Sequence, residues 1–171
     1  MASKIKVDQI QTADGTGTIA LQNQLSGMTG VSMPTGSVLQ VVNATYSTEI
    51  DFTTTSYVDT GLTATITPSS SSSKILILVS QCGIRKPAAN SYLTLRLMRG
   101  STLVTQISIT SGYNNSSTIA STSESTCSLD SPNTTSAVIY KTEGNRSGAS
   151  GTINMNVNDV TSTMTLMEIA G

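Results

Sequence analysis

The amino-acid sequence predicts an all-β fold: a jelly-roll-like antiparallel β-sandwich preceded by an extended N-terminal arm. Alternation is the first reason. Leu62-Thr63-Ala64-Thr65-Ile66-Thr67, Leu93-Thr94-Leu95-Arg96-Leu97 and Ile153-Asn154-Met155-Asn156-Val157 place apolar side chains on one face and polar ones on the other. A period of two marks a half-buried strand, not a helix. Punctuation is the second reason. Gly, Ser, Asn and Pro breaks separate these stretches at intervals typical of sandwiches and jelly rolls. Composition is the third. Ser and Thr together fill roughly a third of all positions; Thr suits strands and Ser suits turns.

The chain divides near Pro34. Residues 1–34 hold two short extended pieces, Lys4–Ile10 and Thr18–Leu21, joined by a turn at Asp14-Gly15. The segment is too small to bury a core of its own. Its apolar residues Ile5, Val7, Ile10, Ile19 and Leu21 suit it to lie on another surface, as an attachment or oligomerisation arm.

Residues 35–171 form the expected head domain. Strands are predicted near 37–42, 61–67, 74–82, 92–98, 103–109, 126–129, 136–142, 152–157 and 163–169. Arg99-Gly100-Ser101 reads as a tight hairpin, and Pro68 with Ser69–Ser73 as a loop. Ile75-Leu76-Ile77-Leu78-Val79 is apolar on both faces. It suits a central strand, or one covered by a neighbouring subunit. Met164, Leu166, Met167 and Ile169 break strict alternation, which predicts a bulge or two-sided burial. These two stretches supply the expected subunit interface: Ile75, Ile77, Val79, Met164, Leu166 and Met167.

Reactive chemistry is sparse. The chain has 0 His, 0 Trp and 2 Cys, and charged residues are 11%. Without His, the usual Ser-His-acid and Cys-His arrangements are absent. Asp51, Asp59, Glu124, Asp130, Glu143, Asp159 and Glu168 are scattered, with no spacing that declares a glycosidase pair. Asn156, Asn158 and Asp159 offer oxygens, but not at an EF-hand spacing. The expectation is a non-enzymatic protein with no cofactor and no metal. Cys82 and Cys127 are expected as buried, reduced thiols on strands, with a disulfide between them as the alternative.

Net charge is −1, and no basic stripe marks a nucleic-acid partner. Weak self-repulsion permits copies to associate closely. The longest apolar run, Ile75–Val79, is far too short to span a bilayer. No long apolar core follows Met1-Ala2-Ser3-Lys4, so synthesis and folding in a cytoplasm are expected. Two loops are candidates for recognition. Arg85-Lys86-Pro87-Ala88-Ala89-Asn90 concentrates charge between apolar strands. Ser111 through Ser117 exposes Tyr113 beside Asn114 and Asn115, a mixture suited to saccharide or protein contact.

The opening Ser3-Lys4-Ile5-Lys6-Val7-Asp8-Gln9-Ile10, with Thr12 through Ile19, resembles the start of tail-fibre and related virion proteins of tailed bacteriophages, marine and cyanobacterial ones in particular. The head is similar to the β domain that follows in such proteins. The resembling stretches are Thr55–Leu62, Ile66–Pro68 through Lys74–Leu76, Leu129–Pro132 with Tyr140-Lys141, and Met164–Ile169. The resemblance implies a virion structural protein, usually a homotrimer. Its arm would dock on other virion proteins of the capsid or tail, and its head would face outward, toward a host cell-surface glycan or protein. A short fibre and a capsid decoration (cement) protein both fit a chain of this length. A polysaccharide-degrading tailspike is the enzymatic alternative.

Overall fold

The computed structural model describes residues 33–149 and 151–171; the expected arm residues Ile5, Val7, Ile10, Ile19 and Leu21 lie outside them. Ten strands occur among the described residues: β1 (Val38–Tyr46), β2 (Ile50–Phe52), β3 (Val58–Ile66), β4 (Lys74–Lys86), β5 (Ser91–Arg99), β6 (Thr102–Ser111), β7 (Ala120–Asp130), β8 (Val138–Gly148), β9 (Ile153–Met155) and β10 (Ser162–Ile169). A 3-10 turn at Val157–Asp159 lies between the last two.

All pairings are antiparallel. Sheet A runs β1-β10-β4, with β7 on the far side of β4 and the short β9 and β2 continuing its other edge; sheet B runs β3-β8-β5-β6. Taking the eight long strands in chain order, one sheet holds the first, eighth, third and sixth, and the other the second, seventh, fourth and fifth. That interleaving is two nested Greek keys, the jelly roll. The expected jelly-roll-like antiparallel β-sandwich therefore stands.

Alternation decides which face packs inward. On β3, Thr60, Leu62, Ala64 and Ile66 are buried while Gly61, Thr63 and Thr65 are exposed. On β5, Leu93, Leu95 and Leu97 are fully buried. Sheet A answers with Ile75, Ile77 and Val79 from β4 and Met164 and Leu166 from β10. A second cluster, Phe52, Ile84, Leu93, Leu95, Ile153 and Met155, fills the other end. Each large side chain so buried contributes about 1.5–3 kcal/mol.

Several interior polar groups are paired across the strands. Thr60 and Thr142 hydroxyls meet at 2.5 Å, and Gln81 Nε2 donates to Thr142 Oγ1 at 2.6 Å. Tyr140 donates to Asp130 Oδ2 at 2.6 Å, and Arg99 Nη1 donates to the same carboxylate at 2.8 Å. This links β8, β7 and β5 across the sandwich. Burial, and then the carboxylate beside it, push the Tyr140 phenol far above its ordinary pKa.

Several expectations need correction. β10 alternates regularly, buried and partly exposed by turns. The irregularity lies in β1, between Val38 and Gln40. β4 extends through Lys86, so Arg85 and Lys86 are strand residues, not loop residues. A bulge between Gln81 and Ile84 carries it there. Gly83 suits the bulge: its φ is +62°, and a side chain would press on the Val157 backbone nitrogen at 2.9 Å. Cys127 is exposed, not buried, and both thiols are free. Cys127 sits opposite Leu78, four residues from Cys82, or about 13 Å along β4 and beyond disulfide reach.

Candidate functional site

Jelly-roll topology gives the head two distinct ends. Gly36 N–H donates to Ala170 O and Ala170 N–H to Ser37 O, both at 2.8 Å. The chain thus enters beside the start of β1 and the end of β10. Strand β4 leaves this end at Lys74 and reaches Lys86 at the other, a run of about 40 Å. There the connections β2–β3, β4–β5, β6–β7 and β8–β9 gather.

Lys86 is fully buried. Its Nζ donates to Asn114 Oδ1, to Asn114 O at 3.2 Å and to Ser116 O at 3.0 Å. The exposed recognition residue expected there is an internal clamp on the β6–β7 loop. Asn114 is consumed by that clamp and by the Ser116 N–H, which donates to Asn114 Oδ1. Tyr113 remains 54% exposed. Its ring meets Tyr92 edge to face, with centroids 5.7 Å apart and planes at 77°. Asn90 N–H donates to Asn114 O, and Ala149 N–H donates to Asn90 O, each at 2.9 Å. Asn115 is exposed beside them. Arg85 leaves the strand on the other face. It reaches Glu49 at 3.8 Å and Asn154 Oδ1 at 3.3 Å, apart from the tyrosines. Asn90 closes the first candidate loop, but sequence reasoning missed Tyr92. Tyr92 opens a patterned strand and looks like an ordinary strand aromatic; only the fold lays it against Tyr113.

The expected interface residues Ile75, Ile77, Val79, Met164 and Leu166 lie inside the chain's own core. They are not available to another subunit. Reversing the face gives a different surface. Register aligns Val41 with Met167, Met167 with Leu76, and Leu76 with Leu129. This apolar row crosses four strands on the outside of sheet A. Val41 is 56% and Leu129 54% exposed, and Leu78 adjoins them. The next rows, Asn43-Thr165-Leu78-Cys127 and Thr45-Thr163-Ser80-Ser125, are progressively more polar. The row therefore lies toward the end where the chain enters.

The outer face of sheet B is charged but self-compensated. Arg96 donates to Glu143 Oε2 through Nε and Nη2, at 2.9 and 2.6 Å, and its guanidinium lies 3.6 Å from the centre of the Tyr57 ring. Lys141 bridges Asp59 at 2.8 Å and Glu143 at 2.9 Å. Partial burial would raise the Glu143 pKa, but its bonds to Lys141 and Arg96 outweigh that and hold it below the ordinary value. Hydrogen bonds to Asp59 and Glu143 raise Lys141.

Among the described residues, no three His, Cys, Asp or Glu side chains converge as a metal site would require. Asn156, one of the oxygen-bearing residues near the last turn, donates from Nδ2 to Thr48 O at 3.0 Å and accepts from Ser162 at 2.6 Å. No described helix is long and apolar enough to cross a membrane. No protein-family model matches the chain, and no curated protein matches it in sequence.

Proposed function

We propose that this chain is a non-enzymatic structural protein of a bacteriophage particle, of the fibre type. It docks on the particle through residues 1–34 and displays a trimeric β head for host attachment. The observation that carries the reading is polarity. The chain enters the head beside β1 and β10, while the Tyr113 loops sit at the opposite end, about 40 Å away along β4. An arm at one end and presented loops at the other suit an object fixed to a surface and facing outward. The sequence resemblance described above supports the same reading. The row Val41-Met167-Leu76-Leu129 supplies an apolar surface for sister copies.

Two measurements test this. Sedimentation of the full chain at micromolar concentration should give a trimer; a stable monomer would remove the oligomeric half of the proposal. Gold-labelled antibody against the chain should decorate the tail of purified particles at a few tens of copies or fewer. Hundreds of copies over the shell would instead make it a capsid decoration protein, and absence from particles would end the virion reading.

A further inference from the structure

We infer that the loop end of the head is a shallow binding site for a neutral oligosaccharide, with Tyr113 as its stacking platform and Lys86 as its positioning residue. The inference deepens the attachment reading above and rests on it for its biological meaning. Its chemistry stands on the site itself. Tyr113 is exposed yet braced: Tyr92 holds the ring edge to face, and Tyr113 N–H donates to Thr110 O at 3.0 Å. A fixed, half-exposed phenol presents a flat apolar face to sugar C–H groups and a hydroxyl to their oxygens.

The loop behind it is held at some energetic cost. A buried ammonium is expensive unless its donors are satisfied. Lys86 has no carboxylate partner among the described residues; its bonds go to the Asn114 and Ser116 oxygens. Three connections are latched together around it. Asn90 sits at φ +54°, bonded through N–H to Asn114 O and through C=O to the Ala149 N–H. Gly148, at φ +77°, lets the Asn90 carbonyl and the Tyr92 ring approach where a side chain would collide. Such a cluster is pre-organised, which lowers the ordering cost of binding.

Around the ring lie amides and hydroxyls: Asn90 Oδ1 at 3.5 Å from the Tyr113 hydroxyl, exposed Asn115, and Ser147 opposite Tyr92 on β8. Among the cations at this end, Lys86 is buried and Arg146 donates to the Thr53 and Ala149 carbonyls, while the charges farther along sheet B cancel in pairs. The amides and hydroxyls around the ring match the oxygens of a neutral sugar. One exposed ring with a polar surround is also a poor anchor for a protein partner, whose binding concentrates on packed aromatic clusters.

The test is titration of isotope-labelled full-length chain with neutral tetrasaccharides of glucose, mannose, galactose and N-acetylglucosamine at about 10 mM, read by amide shifts. Shifts should cluster at Asn90, Tyr92, Tyr113 and Asn115. Tyr113→Ala should weaken binding about tenfold or more. Lys86→Met should weaken it about tenfold while the shifts of the core strands stay in place. Asn115→Ala, at an exposed position, serves as the second variant if Lys86→Met fails to fold. Binding of the chain to host envelopes should vanish after periodate and survive protease. No shifts with any sugar, shifts elsewhere, undiminished binding by Tyr113→Ala, or binding lost to protease alone would each overturn the site. A chain absent from particles that still binds sugar would sink the virion reading and leave the site standing.

Discussion

Glu168 offers the sharpest test of how the head is held together. It is fully buried at the inner face of β10, with no cationic partner among the described residues. Its Oε2 accepts from Gln40 Nε2 at 2.6 Å, and its Oε1 accepts from Ser69 N–H and Ser69 hydroxyl, both at 2.7 Å. Burial alone would raise its pKa; the hydrogen bonds from Gln40 and Ser69 outweigh it and hold the carboxyl below its ordinary value. Glu168→Gln keeps the shape and removes the charge. Two bonds then fall from charge-assisted to neutral, at about 1 kcal/mol each. The third becomes amide against amide, costing a further 1–3 kcal/mol or so. Gln40 cannot simply flip, because its Nε2 also donates to Thr67 O at 2.7 Å. Relief from burying a charge offsets part of this, leaving about 1–3 kcal/mol of net destabilisation. At about 2–4 °C per kcal/mol for a domain of this size, Tm should fall by roughly 3–10 °C. The sign with pH follows from linkage. A depressed folded pKa gives stability that is complete above the unfolded value, about 4.3, and is lost as pH falls through the lower folded value. Urea denaturation at pH 7 should therefore show the full deficit, and denaturation near pH 3 a smaller one. A variant as stable as the parent at pH 7 would refute the claim that these donors compensate the buried charge.

Leu129→Glu, on the exposed apolar row, should leave Tm within a few degrees yet convert the proposed trimer to monomer in sedimentation, whereas Ile77→Glu should prevent folding altogether. Phe52→Ala should cost about 3–5 kcal/mol in denaturant titration, since Phe52 is 1% exposed within the second core cluster. Gly144→Ala should cost about 1–3 kcal/mol, because the new methyl would meet the Phe52 ring at 2.8 Å and Leu95 at 3.1 Å. Cys127 should react with an aromatic disulfide reagent in the native state, ahead of the half-buried Cys82, and reductant should leave Tm unchanged.

Legibility followed the strength of the local signal. Leu62 to Thr67 and Leu93 to Leu97 alternate cleanly, so their strands and inward faces could be read directly. β2 has only three residues, Ile50–Phe52, too few for a period to show. The error at Ile75–Val79 and Met164–Leu166 has a clear cause. A strand apolar on both faces announces that one face is buried elsewhere, but periodicity does not say which. Only the pairing of β4 with β10 and β7 shows that Ile75 and Ile77 turn inward while Leu76 and Leu78 turn out. Lys86 misled for a similar reason. A charged residue before Pro87 reads as a loop, and its acceptors, Asn114 and Ser116, are 28 and 30 residues away. Tyr113 was visible because an aromatic among amides and hydroxyls is conspicuous in any fold.

Strand β10 separates β1 from β4 in sheet A. Val38 waits for Ile169, and Tyr46 for Ser162, so the first strand of the head has no neighbour in its own sheet until the last has left the ribosome. Such distant closure makes for slow folding. It also imposes a schedule. Met167, which joins Val41 to Leu76 across the outer row, arrives only with β10, so a half-made chain lacks the surface proposed for sister copies. Under the proposed trimer, maturation of the subunit and permission to assemble become one event.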